Sequence, residues 1–105
     1  MANRYWVGGG NGDWSSTSNW SATSGGASGA SVPTTADAVF LDANSGSGQI
    51  TLTTTSVALS LTATGFTGTF YFANNYLDLS GSGTVYTGPL SVVTAVYGYP
   101  LIALT

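Results

Sequence analysis

The chain is predicted to be all-β: a short solenoid-like body of stacked strands behind a Trp/Gly-rich N-terminal cap, with a small antiparallel β-sandwich as the alternative. Three observations lead there. No window combines the i, i+3, i+4, i+7 apolar spacing of a helix with helix-forming residues, and residues 27–38 hold too much Ser, Thr, Gly and Pro to propagate one. Apolar or aromatic residues instead alternate with Thr, Ser or Tyr through much of the chain. A Gly-spaced hexapeptide also recurs imperfectly along it.

At 105 residues a single domain, 1–105, is expected. Residues 1–48, rich in Gly, Ser, Asn and Trp, read as cap and loops. Residues 49–105 read as a strand-rich body ending in an apolar segment. Strands are expected at Arg4 to Val7, Ala38 to Leu41, Gln49 to Thr53, Val57 to Ala63, Thr69 to Ala73, Tyr76 to Leu79, Thr84 to Tyr86 and Leu90 to Tyr97. In Val57–Ala63 the odd positions are apolar and the even ones small or polar, the period of one half-buried strand. Asn74-Asn75 tolerates positive φ, so it turns the chain in one of two ways. It closes a hairpin pairing 72 with 77 and 70 with 79, or it rounds a corner between stacked strands.

The repeat bears on that choice. Ser45-Gly-Ser-Gly48-Gln-Ile50 returns as Ser80-Gly-Ser-Gly83-Thr-Val85, with Gly65-Phe-Thr-Gly68-Thr-Phe70 between them in related form. Each places a Gly two residues before an inward apolar residue. The spacing is near one coil of a repetitive β-fold, although hairpin loops of a sandwich would also use such Gly/Ser runs.

Composition excludes more than it assigns. The one cationic side chain is Arg4, the carboxylates are Asp13, Asp37, Asp42 and Asp78, and Lys, Glu, His and Cys are absent. Proton transfer, nucleophilic catalysis and metal binding draw mainly on those missing types, so no enzyme, catalytic residue, cofactor or metal is expected. A net charge of −3 with one Arg gives no means of neutralising phosphates, which argues against nucleic acid. No apolar stretch is long enough to span a bilayer as a helix. The start Met1-Ala2-Asn3 reads as cytoplasmic translation without a targeting segment. With no cysteine to cross-link a small core, oligomerisation is the remaining support.

Two constellations stand out as sites. Trp6, Trp14 and Trp20 lie in Gly- and Ser-rich loops near Asn and Asp. They read either as plugs filling a region poor in regular structure or as faces for stacking a sugar. At the other end Tyr97, Tyr99, Leu101, Ile102 and Leu104 leave the alternating pattern; a strand apolar on both faces needs covering on both, which points to an assembly interface. Asp37 and Asp42 bracket Ala-Val-Phe-Leu with Asn44 after them, but a calcium loop would need a donor at 46 and Gly at 47, where Gly46 and Ser47 stand. Asp37 is more simply a turn-former ahead of its strand. Asn11-Gly12 is a tight-turn signal, and Asn19-Trp20-Ser21 fits the glycosylation sequon.

The opening Trp6-Val-Gly-Gly-Gly-Asn-Gly-Asp-Trp14, followed by Asn19-Trp20-Ser21, Pro33 and Asp37-Ala-Val-Phe40, resembles the entry segment of β-solenoid structural proteins of bacterial (autotransporter-like) surfaces and tailed-bacteriophage virions. Leu59-Ser-Leu61 through Gly65-Phe-Thr-Gly68-Thr-Phe70 and Leu77-Asp-Leu79 resembles their coils. The family's usual members are longer, and the bacterial ones carry secretion signals. The resemblance therefore implies a short virion structural subunit, decorating a capsid or forming part of a fibre. Such a subunit is made in the host cytoplasm and located in the virion, with copies of itself, a trimer among them, and other virion proteins as partners. Two alternatives are a carbohydrate-binding surface adhesin that stacks a host glycan on Trp and Tyr faces and a self-polymerising extracellular filament subunit.

Overall fold

Thr, Val, Ile, Leu and aromatic residues fill short segments separated by Gly, Ser and Asn, and these segments become strands because their side chains fit a half-buried pleated surface. The computed structural model describes residues 2–71, 75–81, 86–87 and 102–104. Those residues are all-β. The strands are β1 (Ala2–Trp6), β2 (Gly12–Asp13), β3 (Trp20–Ser21), β4 (Asp37–Phe40), β5 (Gln49–Thr51), β6 (Ser56–Ala58), β7 (Ser60–Thr62), β8 (Thr69–Tyr71), β9 (Leu77–Leu79), β10 (Tyr86–Thr87) and β11 (Ile102–Leu104). Two single 3₁₀ turns, Thr17–Asn19 and Ala43–Ser45, complete the regular structure, and no α-helix occurs among the described residues.

The strands form three sheets, ordered β10-β7-β4-β1-β3, β2-β5-β8 and β11-β9-β6. Every pairing is parallel except that of β1 with β3. Consecutive strands β4, β5 and β6 belong to three different sheets, and β7, β8 and β9 visit those sheets in the same order. Ala38 lies beside Ser60, Gln49 beside Thr69 and Ser56 beside Leu77, so the layer of β7, β8 and β9 repeats that of β4, β5 and β6 after 20 to 22 residues. The backbone bonds repeat as well. Leu41 N–H donates to Thr62 O and Ala63 N–H to Thr87 O; Trp14 N–H donates to Thr51 O and Leu52 N–H to Tyr71 O.

Side chains from the three sheets meet in one buried cluster that includes Val39 and Leu61, Ile50 and Leu52, and Ala58, Leu77 and Leu79. Because the register is parallel, like stands on like: Val39 beside Leu61 and Ala58 beside Leu79. Burying a leucine of this kind stabilises the fold by roughly 1.5–3 kcal/mol.

Two local expectations are corrected. Val57 to Ala63 is not one strand but β6 and β7, which lie in different sheets and turn at Leu59. The inward parity changes at that corner. Ser56 and Ala58 are buried before it and Leu61 and Ala63 after it, while Val57 and Leu59 are only half-buried. Leu59 N–H donates to Asp37 O in the preceding layer and Leu59 O accepts from Gly81 N–H in the following one, so the corner is held between layers. The hairpin of 70–72 with 77–79 does not form either, since β8 pairs with β5 while β9 pairs with β6 and β11. Asn75 instead donates its side-chain N–H to Leu52 O, 2.9 Å away, tying its corner to the layer before. Of the other expected segments, Leu90 to Tyr97, Thr84, Val85 and most of the third repeat lie outside the described residues.

The first two repeats are in register, because Gln49 beside Thr69 places Gly48 level with Gly68. A Cβ on Gly48 would come within 2.1 Å of the carbonyl carbon of Gly10, and one on Gly68 within 2.3 Å of Gly48 O. Backbone touches backbone there. Gly10 differs, since a Cβ on it would meet nothing within 4 Å.

The first layer is closed by the chain that precedes β4. β3 runs antiparallel along β1, Ala30 and Val32 pack against the core cluster, and Ala30 N–H donates to Trp20 O. The Arg4 guanidinium donates to Ser31 O at 2.8 Å, Ser31 Oγ at 2.7 Å and Asn3 O at 2.9 Å.

Gly48→Ala is expected to lose about 1–3 kcal/mol, because backbone, unlike a side chain, has no rotamer with which to yield. Gly10→Ala is expected to be neutral or to gain up to about 1 kcal/mol through the unfolded chain. Urea unfolding midpoints of the two variants, read by tryptophan fluorescence, check the contrast; equal stability would remove the tight contact as an explanation for the repeat.

Candidate functional site

The tryptophans come from three short elements: Trp6 ends β1, Trp14 follows β2 and Trp20 opens β3. All three are buried, with 1%, 1% and 0% of their surface exposed. Trp20 meets Trp6 edge to face with centroids 5.2 Å apart and Trp14 likewise at 4.8 Å, the arrangement that ring quadrupoles favour. Trp20 Nε1–H donates to Trp14 O at 2.7 Å. No indole face is open to solvent, so the expectation that Trp6, Trp14 and Trp20 stack a sugar is corrected. Their rings are consumed by one another and by the core.

Two of the intervening glycines, Gly8 and Gly12, now have a cause. A Cβ on Gly8 would lie 2.7 Å from the Trp6 ring, and one on Gly12 would lie 2.8 Å from Asn19 Nδ2 and 3.0 Å from Trp6. Asn19 is fixed in the same packing: its Nδ2–H donates to Asp13 O at 3.0 Å and its carbonyl accepts from Val7 N–H at 2.8 Å.

Three of the four carboxylates serve local turns. Asp13 accepts from Ser15 N–H at 2.9 Å, Ser15 Oγ at 2.8 Å and Thr53 Oγ1 at 3.0 Å, bridging adjacent layers. Asp42 caps the 3₁₀ turn Ala43–Ser45, accepting from Asn44 N–H while Ser45 Oγ accepts from Asp42 N–H, and it also accepts from Ser24 Oγ at 2.7 Å. Asp37, 7% exposed, accepts from Thr34 N–H at 2.8 Å and Thr34 Oγ1 at 3.1 Å, making the turn that leads into β4. Asp78 stands on the outer side of β9 between Val57 and Ala103 in register, its Oδ1 buried without a hydrogen bond. Among the described residues no three His, Cys, Asp or Glu side chains gather as a metal site, and Asp37 and Asp42 are spent on separate turns.

What the sheets turn outward carries little charge, Asp13 and Asp78 being the carboxylates among it. In the first sheet Tyr5, Phe40, Thr62 and Thr87 form one row, with Tyr5 and Phe40 stacked at 4.9 Å and 19°. In the second, Asp13, Thr51 and Tyr71 are aligned. Tyr76, 51% exposed, is the large apolar residue most open to solvent among the described ones. Sequence reading missed the Tyr5–Phe40 pair; the signal for it was a shared position two residues after Asn3 and Ala38, visible only once those are known to be partners.

Of the proposed assembly residues, Ile102 and Leu104 lie in β11, whose backbone pairs in parallel with Leu77 and Leu79 of the same chain. Tyr97, Tyr99 and Leu101 lie outside the described residues.

For Asp13 and Asp37, burial raises the carboxyl pKa, but the hydrogen bonds from Ser15 and Thr53 in one case and from Thr34 and Ala2 in the other outweigh it. Arg4 adds its charge at Asp37, and both groups end below the ordinary carboxylate value. A depressed folded-state pKa means stability that is fully present above the unfolded-chain value near 4 and lost as pH falls through the folded value. Urea midpoints should accordingly hold level from about pH 5 to 8 and fall in acid. Asp37→Asn should lower the neutral midpoint and flatten the acid limb, and an unchanged acid limb would count against this carboxylate. Compared with known protein families, curated proteins and solved structures, the chain matches none.

Proposed function

We propose that this protein is a non-enzymatic structural subunit whose body is a short, three-sided β-solenoid, acting through subunit adhesion as a capsid decoration or fibre component of a tailed-phage virion. The carrying observation is the layered register of β4–β6 and β7–β9: three sheets visited in the same order, parallel pairing between the two layers and a repeat of 20 to 22 residues. Parallel neighbours joined through strands of two other sheets are what coiling demands, whereas hairpin-linked sandwiches pair antiparallel.

The surface supports the adhesive role. Arg4 is occupied at the closed end, Asp13, Asp37 and Asp42 are held by their own turns, and apart from Asp13 and Asp78 the outer rows are aromatic and hydroxyl-bearing. A surface so poor in free charge repels a second copy weakly and loses little by desolvation on contact, which suits permanent attachment. The phage setting rests on the resemblance of the opening segment and coils to virion β-solenoids. The adhesin reading loses the tryptophans as a ligand face and keeps only tyrosines for it.

Light scattering on the purified chain tests the proposal. An oligomer is expected, shifting to a smaller species when residues 98–105 are deleted. Because that deletion also strips β11 from β9, the double substitution Tyr97→Ser and Tyr99→Ser serves as the second variant and is expected to weaken assembly with the fold retained. A compact monomer for the unaltered chain would overturn the reading.

A further inference from the structure

We propose that Asn11 is a site of spontaneous, non-enzymatic deamidation in the folded protein. Asn11 precedes Gly12, which has no side chain to crowd its own backbone nitrogen. That nitrogen, on losing its proton to hydroxide, attacks Asn11 Cγ. The Cγ–N bond forms, the Cγ–Nδ2 bond breaks, and Nδ2 takes a proton from water and leaves as ammonia. One water then opens the resulting ring. Attack at one carbonyl leaves aspartate in the normal backbone, and attack at the other leaves isoaspartate with the backbone routed through Cγ.

The structure favours this asparagine. Asn11 is exposed, and its Oδ1 accepts from Gln49 N–H at 2.9 Å, a fixed donor where negative charge grows as Cγ is attacked. Gly12 belongs to β2, a two-residue strand at the edge of its sheet that pairs on one side only, with β5, so local opening there breaks few ladder bonds. The other asparagines with described side-chain bonds are worse placed. Asn44 precedes Ser45 of the capping box and gives its N–H to Asp42, Asn19 precedes the buried Trp20, and Asn75 precedes Tyr76 with its Nδ2 on Leu52 O. Packing also retains the labile pair. The space for a side chain at residue 12 is filled by Asn19 and Trp6, so glycine is required there.

The two products differ in consequence. Aspartate keeps an acceptor for Gln49 N–H, whereas isoaspartate lengthens the backbone next to Gly10, whose contact with Gly48 has no room to spare.

The test is incubation of the purified chain in mildly alkaline buffer, with peptide mass analysis, isoaspartate detection and tryptophan fluorescence followed together. The expected result is conversion at residue 11 ahead of every other asparagine, while fluorescence still reports the folded state. Asn11→Gln should abolish the change, and Asn11→Asp should fold with its unfolding midpoint nearly unaltered. Conversion that begins only after fluorescence shows unfolding, or reaction at Asn44 before Asn11, would overturn the proposal.

Discussion

Close parallel stacking of one layer of strands on the next is the constraint from which the rest of this molecule follows. Neighbouring strands sit about 4.8 Å apart, so every position is judged by the same position one layer away. At the glycine corner the result is backbone against backbone, with Gly48 facing Gly10 and Gly68 facing Gly48. In the interior it is Val39 beside Leu61 and Ala58 beside Leu79, where volume in one layer sets what the next will hold. On the outer face it is Tyr5 stacked on Phe40. Side chains that join layers, such as Asn11 to Gln49, Asn75 to Leu52 and Asp13 to Thr53, satisfy groups at turns where the regular ladder is interrupted.

A stack of this kind has ends, and an end exposes unpaired edges and the floor of the core. The Trp-rich opening closes one of them. Three indoles packed edge to face fill a volume that short strands of two residues could not, and the antiparallel β3 blocks the outer edge of β1. The segment leading to β4 then lies across the core through Ala30 and Val32, and Arg4 and Asp37 fasten its last part. The rarity of charge in the chain is thus matched by how most of its few charges are used: Arg4, Asp13, Asp37 and Asp42 each serve a turn or a clasp.

The all-β class and most strand positions were legible from alternation alone, because Ile50, Leu77 and Leu79 are flanked by residues that tolerate water. The repeat placed Gly48 two residues before the inward Ile50, but that this glycine lies against the backbone of a neighbouring layer was visible only in the structure. Two other features were hidden. The break at Leu59 left no trace in Val57–Ala63, because a corner that changes inward parity can keep an unbroken apolar alternation; the buried Ser56 and Ala58 are small, and small residues carry little periodic signal. Asn74-Asn75 was ambiguous for a physical reason, as left-handed backbone serves a hairpin and a corner alike and only the partner strand distinguishes them. The tryptophans were flagged as the chemical focus of the cap, but composition cannot tell a ring packed against its fellows from one held out to a ligand.

The fastening of Arg4 carries a consequence for durability. Trypsin-like proteases cleave after lysine or arginine, and this chain has no lysine and one arginine, set within β1 with its guanidinium held by Ser31. Even a successful cut there would fall before all three tryptophans. Digestive enzymes of that specificity therefore find almost nothing to grip.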